Sequence, residues 1–578
     1  MCVSYLLSVL KKHWPAVLLA LVIGAFTSFP QLVAEYWMGD VYQGVHPVIS
    51  DDELFYMARE REVLDGHALL GSPYLAEYKD LPSLEFWIPD AFVAGIGYLL
   101  GDLHRAVILL DFMLPILLVL ITYAIAFSLT KDRLLSASST TFLYLGLFFE
   151  YFNRMPNPQL TYSLFLLFIL ALIRVLATRS WQWAVIASVS FTALFYSYTF
   201  SWTFAVVILA VLAFLFFILL RGEKLHYWFA GIGAIGIVGA IPYFITLFLA
   251  SKTPYYHEAL LRIGLLETHF PSGMSLLLLV GFTVAVYIVL WRMGIVPVAP
   301  LPLLLVGMSI AGATVMNQHV ITGKNFQFAG HYTMPGAFLC VFALLYAFKA
   351  FLLSLENRKM TLAHAVKKGM ASILLVLSFV AVTPVVFAMA TPTEETIFNQ
   401  RYGPVLTWLD VHSVPDEVVF ANQTLSQLVP VYTHNNVFFS TWAQVAYLSN
   451  EQVRARYIRA RYFDTTLTRE DIMRTELDLY GASYMGERQH LTQQNKLRAL
   501  FGMELLPVKD YPEEDLLRVI SEWEKLRTQP FAEVSDSYRL EYLVWDTEKD
   551  ASWNLSALKE AEEVFRAGAV RVYKITPR

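Results

Sequence analysis

The chain has 578 residues, of which 56% are hydrophobic and 16% charged, with a mean hydropathy of +0.50 and a net charge of -5. A soluble globular protein carries about a quarter of its residues as Asp, Glu, Lys and Arg, so this composition excludes that class and indicates a polytopic helical membrane protein. The net charge is too small for a chain of this size to imply a nucleic-acid partner. The cysteines, Cys2 and Cys340, lie far apart in the sequence, which excludes a disulfide framework or a thiolate metal cluster.

Apolar runs recur that are long enough to cross roughly 30 Å of hydrocarbon as helices. Two lysines precede the first run, and we interpret it as a retained span because the residues around Pro30 and Glu35 do not form the cleavage site of a signal peptide. The sequence predicts eleven spans, at about 14–33, 106–129, 134–152, 160–178, 181–198, 201–220, 227–249, 273–292, 296–316, 332–353 and 369–390.

Positive charges are distributed unevenly between the predicted loops, and this bias predicts the orientation. With a cytoplasmic N-terminus, the inner loops hold Lys11, Lys12, Lys131, Arg133, Arg174, Arg179, Arg221, Lys224, Arg292, Arg358, Lys359, Lys367 and Lys368. The short outer loops hold only Arg154, Lys252, Arg262 and Lys324. The bias requires that segment 86–101, which Pro89, Asp90 and glycines interrupt, does not cross and forms an interfacial helix.

This topology places two large segments on the outer face, the loop from about 35 to 105 and the tail from about 391 to 578. In the tail, charged residues become frequent and short β-rich runs alternate with helical patterns. Its length of about 190 residues is ample for an independent domain. We therefore predict a transmembrane domain over residues 1–390 and an extracytoplasmic α/β domain over residues 391–578.

The outer loop contains the stretch with the clearest chemical character. Three consecutive carboxylates, Asp51, Asp52 and Glu53, follow the first span and lead into a helix-like run, and Lys79 lies further along the same loop. Acids beside a membrane surface, followed by a cation, suit chemistry on a lipid-linked anionic substrate. The alternative is an acidic helix start, where carboxylates are common and stabilising.

The residues of this loop resemble a pattern in the GT-C membrane glycosyltransferases, in particular the bacterial aminoarabinose and mannosyl transferases that use polyprenyl-phosphate sugars. Those enzymes tend to read Asp-Glu-x-x-Tyr, then Ala-Arg, then Gly, then Lys-Pro-Pro and an aromatic pair. The matching residues here are Asp52-Glu53-x-x-Tyr56, Ala58-Arg59, Gly66, Lys79, Pro82 and Phe86-Trp87. The second proline is absent and the spacing between lysine and proline is looser, so Asp51 is an alternative match for the first acid.

The resemblance implies a GT-C-like fold and transfer of a sugar from a polyprenyl-phosphate donor. A carboxylate must take the proton from the acceptor hydroxyl, and we expect Asp52 or Asp51 to be this base. The departing lipid phosphate needs a cation, for which Lys79 is the first candidate. Direct attack by the acceptor inverts the anomeric centre. Further candidate substrate contacts on this loop are Glu53, Tyr56 and Arg59, although packing is the alternative for an aromatic on a helix.

Two further outer loops carry candidate contacts. Residues 153–159 are neutral apart from Arg154, which argues against a two-carboxylate metal site. We assign no metal ligands, although a divalent cation is compatible with phosphate chemistry. The connection 317–332 is unusually polar for the end of a span, and polar groups at membrane depth tend to mark a site. We select His319, Lys324 and His331 as contacts for lipid phosphate or sugar; a capped loop with a snorkelling lysine is the alternative.

The sequence thus predicts a glycosyltransferase of a prokaryotic plasma membrane, with Asp as base and inversion at the transferred sugar. Its partners are a polyprenyl-phosphate sugar, membrane lipids, and an acceptor that is a lipid, a glycan or a protein. Two other classes stay open: a lipid or glycan flippase or exporter, and a non-catalytic scaffold with an outer binding domain. Geometry discriminates between them, because an enzyme needs Asp51 or Asp52, Lys79 and the loop 317–331 to converge on one outward-facing cavity open to the lipid. A transporter needs a polar cavity that reaches the midplane, and a scaffold needs neither.

Overall fold

The computed structural model describes residues 2–48, 51–67, 71–81, 87–357, 362–474, 483–508, 512–536 and 538–576. The first part of the chain is mainly helical. Its helices are α1 (Cys2–Met38), α2 (Asp51–Leu64), α3 (Ile88–Leu100), α4 (Leu103–Thr130), α5 (Arg133–Thr141), α6 (Phe149–Phe152), α7 (Gln159–Thr178), α8 (Trp181–Phe195), α9 (Thr199–Leu219), α10 (Leu225–Gly239), α11 (Ile241–Ala250), α12 (Tyr256–Arg262), α13 (Met274–Arg292), α14 (Pro300–Met316), α15 (His319–Thr322), α16 (Thr333–Asn357) and α17 (Leu362–Ala390). Two short antiparallel strands, β1 (Leu265–Glu267) and β2 (Lys324–Phe326), join two of the loops.

Within the described residues, eight helices are long and apolar enough to cross a membrane, and the bent pair α10 and α11 adds a ninth if it counts as one span. The two other predicted runs form shorter helical passages. Run 181–198 contains α8, and run 134–152 is divided into α5, a π-helical stretch over Phe142–Leu147, and α6. The prediction of a polytopic helical membrane protein with a C-terminal α/β domain is confirmed.

Helices satisfy their backbone hydrogen bonds internally, which is what a chain needs in hydrocarbon. Between them lies one large core of buried aliphatic and aromatic side chains. Small residues bring two of the helices close together: a Cβ built on Gly312 of α14 would lie 3.3 Å from the Cα of Gly336 on α16. Such contacts between small residues are typical of packing between membrane helices.

The segment predicted to be interfacial forms α3, which has 13 residues. At 1.5 Å per residue it is about 20 Å long, too short for the hydrocarbon thickness of about 30 Å. It packs against α2 and α4 through one face, while Tyr98 and Leu99 are 80% and 78% exposed. This arrangement agrees with a helix that lies along the membrane surface.

The tail contains a mixed five-stranded sheet in the order β4-β3-β5-β7-β6. Its strands are β3 (Val418–Phe420), β4 (Asn436–Val437), β5 (Tyr542–Asp546), β6 (Ala561–Ala567) and β7 (Val570–Ile575). β3 runs parallel to β4 and β5, with Val419 opposite Val437 and Tyr542, while β7 runs antiparallel to β5 and β6. The surrounding helices are α18 (Glu394–Asn399), α19 (Gly403–His412), α20 (Gln423–Tyr432), α21 (Asn450–Ala460), α22 (Arg469–Arg474), α23 (Ser483–Leu500), α24 (Glu513–Arg527) and α25 (Phe531–Ser535).

The outer loop and the tail pack together as one layer over the same end of the helix bundle. They share a hydrophobic core, and the Val437 amide of β4 donates to the Tyr74 carbonyl at 2.8 Å. An ion pair joins Arg61 of α2 to Asp410 of α19, also at 2.8 Å. The helix that carries the acidic motif is therefore fixed between the bundle and the tail.

Candidate functional site

The most exposed of the described candidate acids, Asp52, pairs with a cation from a different loop. Asp52 lies in the first turn of α2, and Arg154 lies in the connection between α6 and α7. One guanidinium nitrogen of Arg154 donates a hydrogen bond to the Asp52 carboxylate. The Asp52 side chain is 46% exposed and that of Arg154 is 21% exposed. The pair therefore joins two loops at one end of the bundle and remains accessible.

A second contact between the same two segments lies one helical turn away. Asn157 donates through its amide nitrogen to the hydroxyl of Tyr56 at 3.3 Å, and Thr161 on α7 donates to the amide oxygen of Asn157 at 2.6 Å. Tyr56 follows Asp52 by four residues on α2, so both side chains lie on the face that meets the connection to α7. These contacts determine where Arg154 lies relative to the acid.

The ends of two more helices add polar side chains beside this pair. The hydroxyl of Tyr198, just before α9, is 2.9 Å from Nδ1 of His331, just before α16. The His331 ring also stacks on Phe200, with 4.5 Å between the ring centroids. Both Tyr198 and His331 lie within electrostatic range of Arg154. Four separate parts of the sequence therefore meet at this site.

The charge of Arg154 is stabilised by its neighbours. Burial lowers the pKa of its guanidinium, but the neighbouring groups, with Tyr56 and Asp52 first among them, together hold the pKa above its usual range. The group is thus a permanent cation with five N–H donors, of which one contacts Asp52. This planar set of N–H donors suits a phosphate, whose oxygens accept parallel hydrogen bonds.

Lys79, the predicted phosphate-binding cation, lies elsewhere. Its ammonium group donates to Glu62 at 3.0 Å and to Asp416 of the tail. Glu62 follows Asp52 by ten residues on α2, about 15 Å along the helix axis. Lys79 is only 8% exposed between these carboxylates. The prediction placed it beside the acid, whereas the structure places it in the contact between the outer loop and the tail.

Arg59 and Glu53 are both buried in the protein. Arg59 makes two hydrogen bonds to Asp90, at 2.9 and 2.8 Å, and both side chains are almost completely buried. This pair fixes α2 to α3. Glu53 is 8% exposed and lines a small cavity beside His46 and His104. Asp51 begins α2, and its side chain lies outside the part of the chain that the structure describes.

The polar connection 317–332 contributes only its last part to the site. His319 is fully buried, and its Nε2 lies 2.8 Å from the Phe270 carbonyl. Lys324 is exposed on β2, opposite Glu267 of β1. Of these residues, the structure places His331 within electrostatic range of Arg154, whereas the described contacts of His319 and Lys324 lie elsewhere.

A cluster of metal-ligating side chains lies near the cavity that Glu53 lines. Nδ1 of His46 and Nε2 of His104 are 3.0 and 2.7 Å from the same oxygen of Glu35. The sequence-based prediction missed this triad, because His46 and His104 are 11 and 69 residues from Glu35 and form no local spacing pattern. It also missed Tyr198, since an aromatic residue at the end of a span has an ordinary packing interpretation.

No family model and no curated protein matches the sequence. Among solved structures, the chain is similar to the oligosaccharyltransferase of Archaeoglobus fulgidus in the apo form, with 12% identity, a TM-score of 0.48, and coverage of 93% of this chain and 70% of that chain. The same protein tethered with an acceptor peptide containing the NVT sequon is 12% identical, with a TM-score of 0.47 and coverage of 94% and 70%. Its complex with an inhibitory peptide and a dolichol-phosphate gives the same values.

Proposed function

We propose that this chain is a membrane glycosyltransferase that moves a sugar from a polyprenyl-phosphate donor to an acceptor at the outer membrane surface. The observation that carries the proposal is the contact between Asp52 and Arg154 at the loop end of the helix bundle. It brings an accessible carboxylate and a permanent cation together where the phosphate of a membrane lipid would lie. The resemblance of residues 52–87 to the GT-C enzymes supports the same reaction.

In the proposed reaction, Asp52 accepts the proton from the acceptor hydroxyl as that oxygen attacks the anomeric carbon. The bond to the lipid phosphate oxygen breaks, and the phosphate leaves with its negative charge. One direct displacement inverts the anomeric centre, so a second catalytic carboxylate is not required. Arg154 stabilises the departing phosphate, because a guanidinium donates charge-assisted hydrogen bonds to the developing negative charge.

Arg154 replaces Lys79 as the phosphate-binding residue in this proposal. The Lys79 ammonium already contacts Glu62 and Asp416, whereas Arg154 has further donors. Tyr198 and His331 contact each other within electrostatic range of Arg154 and would contact the sugar or the phosphate. Glu53, Arg59, His319 and Lys324 are not included as substrate contacts.

The other two classes explain these contacts less well. A helix-starting carboxylate on a scaffold does not require a bond to a guanidinium from another loop. A transporter requires polar walls near the midplane. The open groove between α5, α13, α16 and α17 is lined by apolar side chains such as Phe142, Phe282 and Leu345, with Ser139 the exception among its described residues.

We further propose that the protein lies in a prokaryotic plasma membrane with its N-terminus in the cytoplasm. The bias of Lys and Arg between the loops supports this orientation. The tail from residue 391 would then be an extracytoplasmic domain. The packing of the tail on the outer loop agrees with an even number of crossings between them.

The test uses membranes that contain the full chain and a panel of labelled polyprenyl-phosphate sugars with endogenous acceptors. We expect transfer by the wild type and a loss of about 10²-fold or more in Asp52→Asn, which is the size of a general-base contribution. Asp51→Asn tests the alternative acid, and Asp80→Asn, an exposed acid of the same loop, is the matched control. Full transfer by a variant with both Asp51 and Asp52 changed to Asn would reject the proposed base, and no transfer by the wild type from any donor would reject the function.

A further inference from the structure

The outer end of the first span carries a cluster of side chains that the proposed reaction does not use. Glu35 lies near the end of α1, His46 on the following loop, and His104 in the first turn of α4. One oxygen or nitrogen from each of these residues lies within 4.8 Å of the others. Their side chains are between 10% and 21% exposed. The donors are thus already gathered, although they come from three segments of the chain.

The donor atoms suit a particular class of ion. Two imidazole nitrogens and one carboxylate oxygen are the ligands of zinc and of similar transition-metal ions, whereas magnesium and calcium prefer oxygen donors alone. Three protein ligands leave at least one coordination position for water or a fourth residue. A hydrogen-bonded cluster without metal is the alternative. The two contacts to Glu35 and the contact between the Tyr42 hydroxyl and Nδ1 of His46 are compatible with it.

A buried carboxylate near the cluster, that of Glu60, independently favours a bound ion. His46 and His104 line a small cavity together with Glu60 of α2. Glu60 is 1% exposed, and neither of its carboxylate oxygens has a hydrogen-bond partner among the residues that the structure describes. A buried carboxylate without partners is costly, and such groups in native proteins usually have a bound ion or water beside them.

The size and the lining of the cavity agree with such an occupant. The space open to the centre of a water molecule is about 10 Å³, which is enough for one small ion or water and far too small for a sugar or a phosphate. Glu53 and Asp111 also line it. Asp111 accepts hydrogen bonds from Gln31 and Gln159, at 2.9 and 2.7 Å. Three carboxyl groups, those of Glu53, Glu60 and Asp111, therefore line a space of this size.

We infer that Glu35, His46 and His104 bind a divalent transition-metal ion, with zinc the best match, and that Glu60 faces this ion as a fourth ligand or as the acceptor for a metal-bound water. The ion would connect α1, the outer loop and α4, and through Glu60 it would also hold α2. Because Asp52 lies on α2, the metal would position the helix that carries the proposed base without contacting the substrate. The metal site does not depend on the proposed function, since none of its ligands takes part in the proposed reaction.

The experiment measures metal binding rather than transfer. Full-length protein in detergent is stripped with a chelator and titrated with Zn²⁺ by calorimetry, and thermal unfolding is followed with and without the ion. We expect one tight site per chain and a higher unfolding temperature with Zn²⁺. Affinity should fall at least tenfold in Glu35→Gln and His104→Gln, and about tenfold in Glu60→Gln. His412→Gln, which changes an exposed histidine of the tail, should bind like the wild type.

Two results would overturn the inference: a wild type without a stoichiometric site, or variants Glu35→Gln and His104→Gln that bind as tightly as the wild type. If those variants do not fold, the wild type alone decides the question through its Co²⁺ complex. Intense visible absorption indicates a four- or five-coordinate ion held by the protein, and a weak spectrum like that of the aqueous ion contradicts the site. A wild-type protein that binds the metal but transfers no sugar would reject only the proposed function.

Discussion

Arg154 donates a hydrogen bond to Asp52, which precedes it by 102 residues. The contact joins α2 to the connection before α7. Because both side chains are partly exposed, an ion pair of this kind contributes at most about 1 kcal/mol to stability. Its residues can therefore be changed with little effect on folding, which makes their chemical roles directly measurable.

Arg154→Gln should reduce sugar transfer by about 10²-fold or more, because the departing phosphate loses a preorganised cation. Arg154→Lys should keep part of the activity, since it retains the charge but not the planar set of donors. Transfer rates and unfolding temperatures of the purified variants check both statements. Arg105→Gln is the matched control, because Arg105 is 77% exposed in the same outer segment. Unchanged transfer by Arg154→Gln would remove Arg154 from the site.

Lys79→Met should act on stability rather than on chemistry. It leaves Glu62, which is 5% exposed, without its ammonium partner, and breaking a buried ion pair costs about 3–5 kcal/mol. The double variant Lys79→Met with Glu62→Gln should recover most of this loss, because the buried charge is then also removed. Denaturant unfolding of the single and double variants gives the coupling energy. If the single variant is as stable as the wild type but inactive, Lys79 belongs to the site after all.

Arg59→Met should also destabilise the protein, by about 3–5 kcal/mol, because it leaves the buried carboxylate of Asp90 without its bidentate partner. The fraction that stays folded should transfer sugar at the rate of the wild type. The measurement compares transfer per folded molecule with the midpoint of unfolding, and Arg61→Met, at a more exposed ion pair of the same helix, is the control. Normal stability with lost transfer would restore Arg59 as a substrate contact.

Asp550→Asn should change how the stability of the tail depends on pH. Burial raises the pKa of Asp550 to about 6, whereas an aspartate in the unfolded chain titrates near pH 4. Between about pH 4 and pH 6 the folded chain holds a proton that the unfolded chain releases, so stability falls as the pH rises through this window. The size of the fall is on the order of 2–3 kcal/mol.

The asparagine variant cannot lose this proton and can still accept the hydrogen bond from Asn422, which is 2.8 Å in the wild type. Its unfolding temperature should therefore exceed that of the wild type above about pH 6 and approach it near pH 4. Thermal unfolding of both proteins across this range is the measurement. Parallel curves for the two proteins would contradict the assigned cause.

The sequence alone was enough for the class, for most of the helical spans and for a tail of different composition, because hydrophobic length and composition are local properties of each segment. It also identified Asp52, Arg154 and His331 as chemically distinctive residues, but not which of them meet. The tertiary structure decided that Asp52 lies beside Arg154 while Lys79 pairs with Glu62 and Asp416, since an ion pair depends on distances between loops that sequence spacing does not encode. For the same reason only the fold gathers Glu35, His46 and His104 beside Glu60.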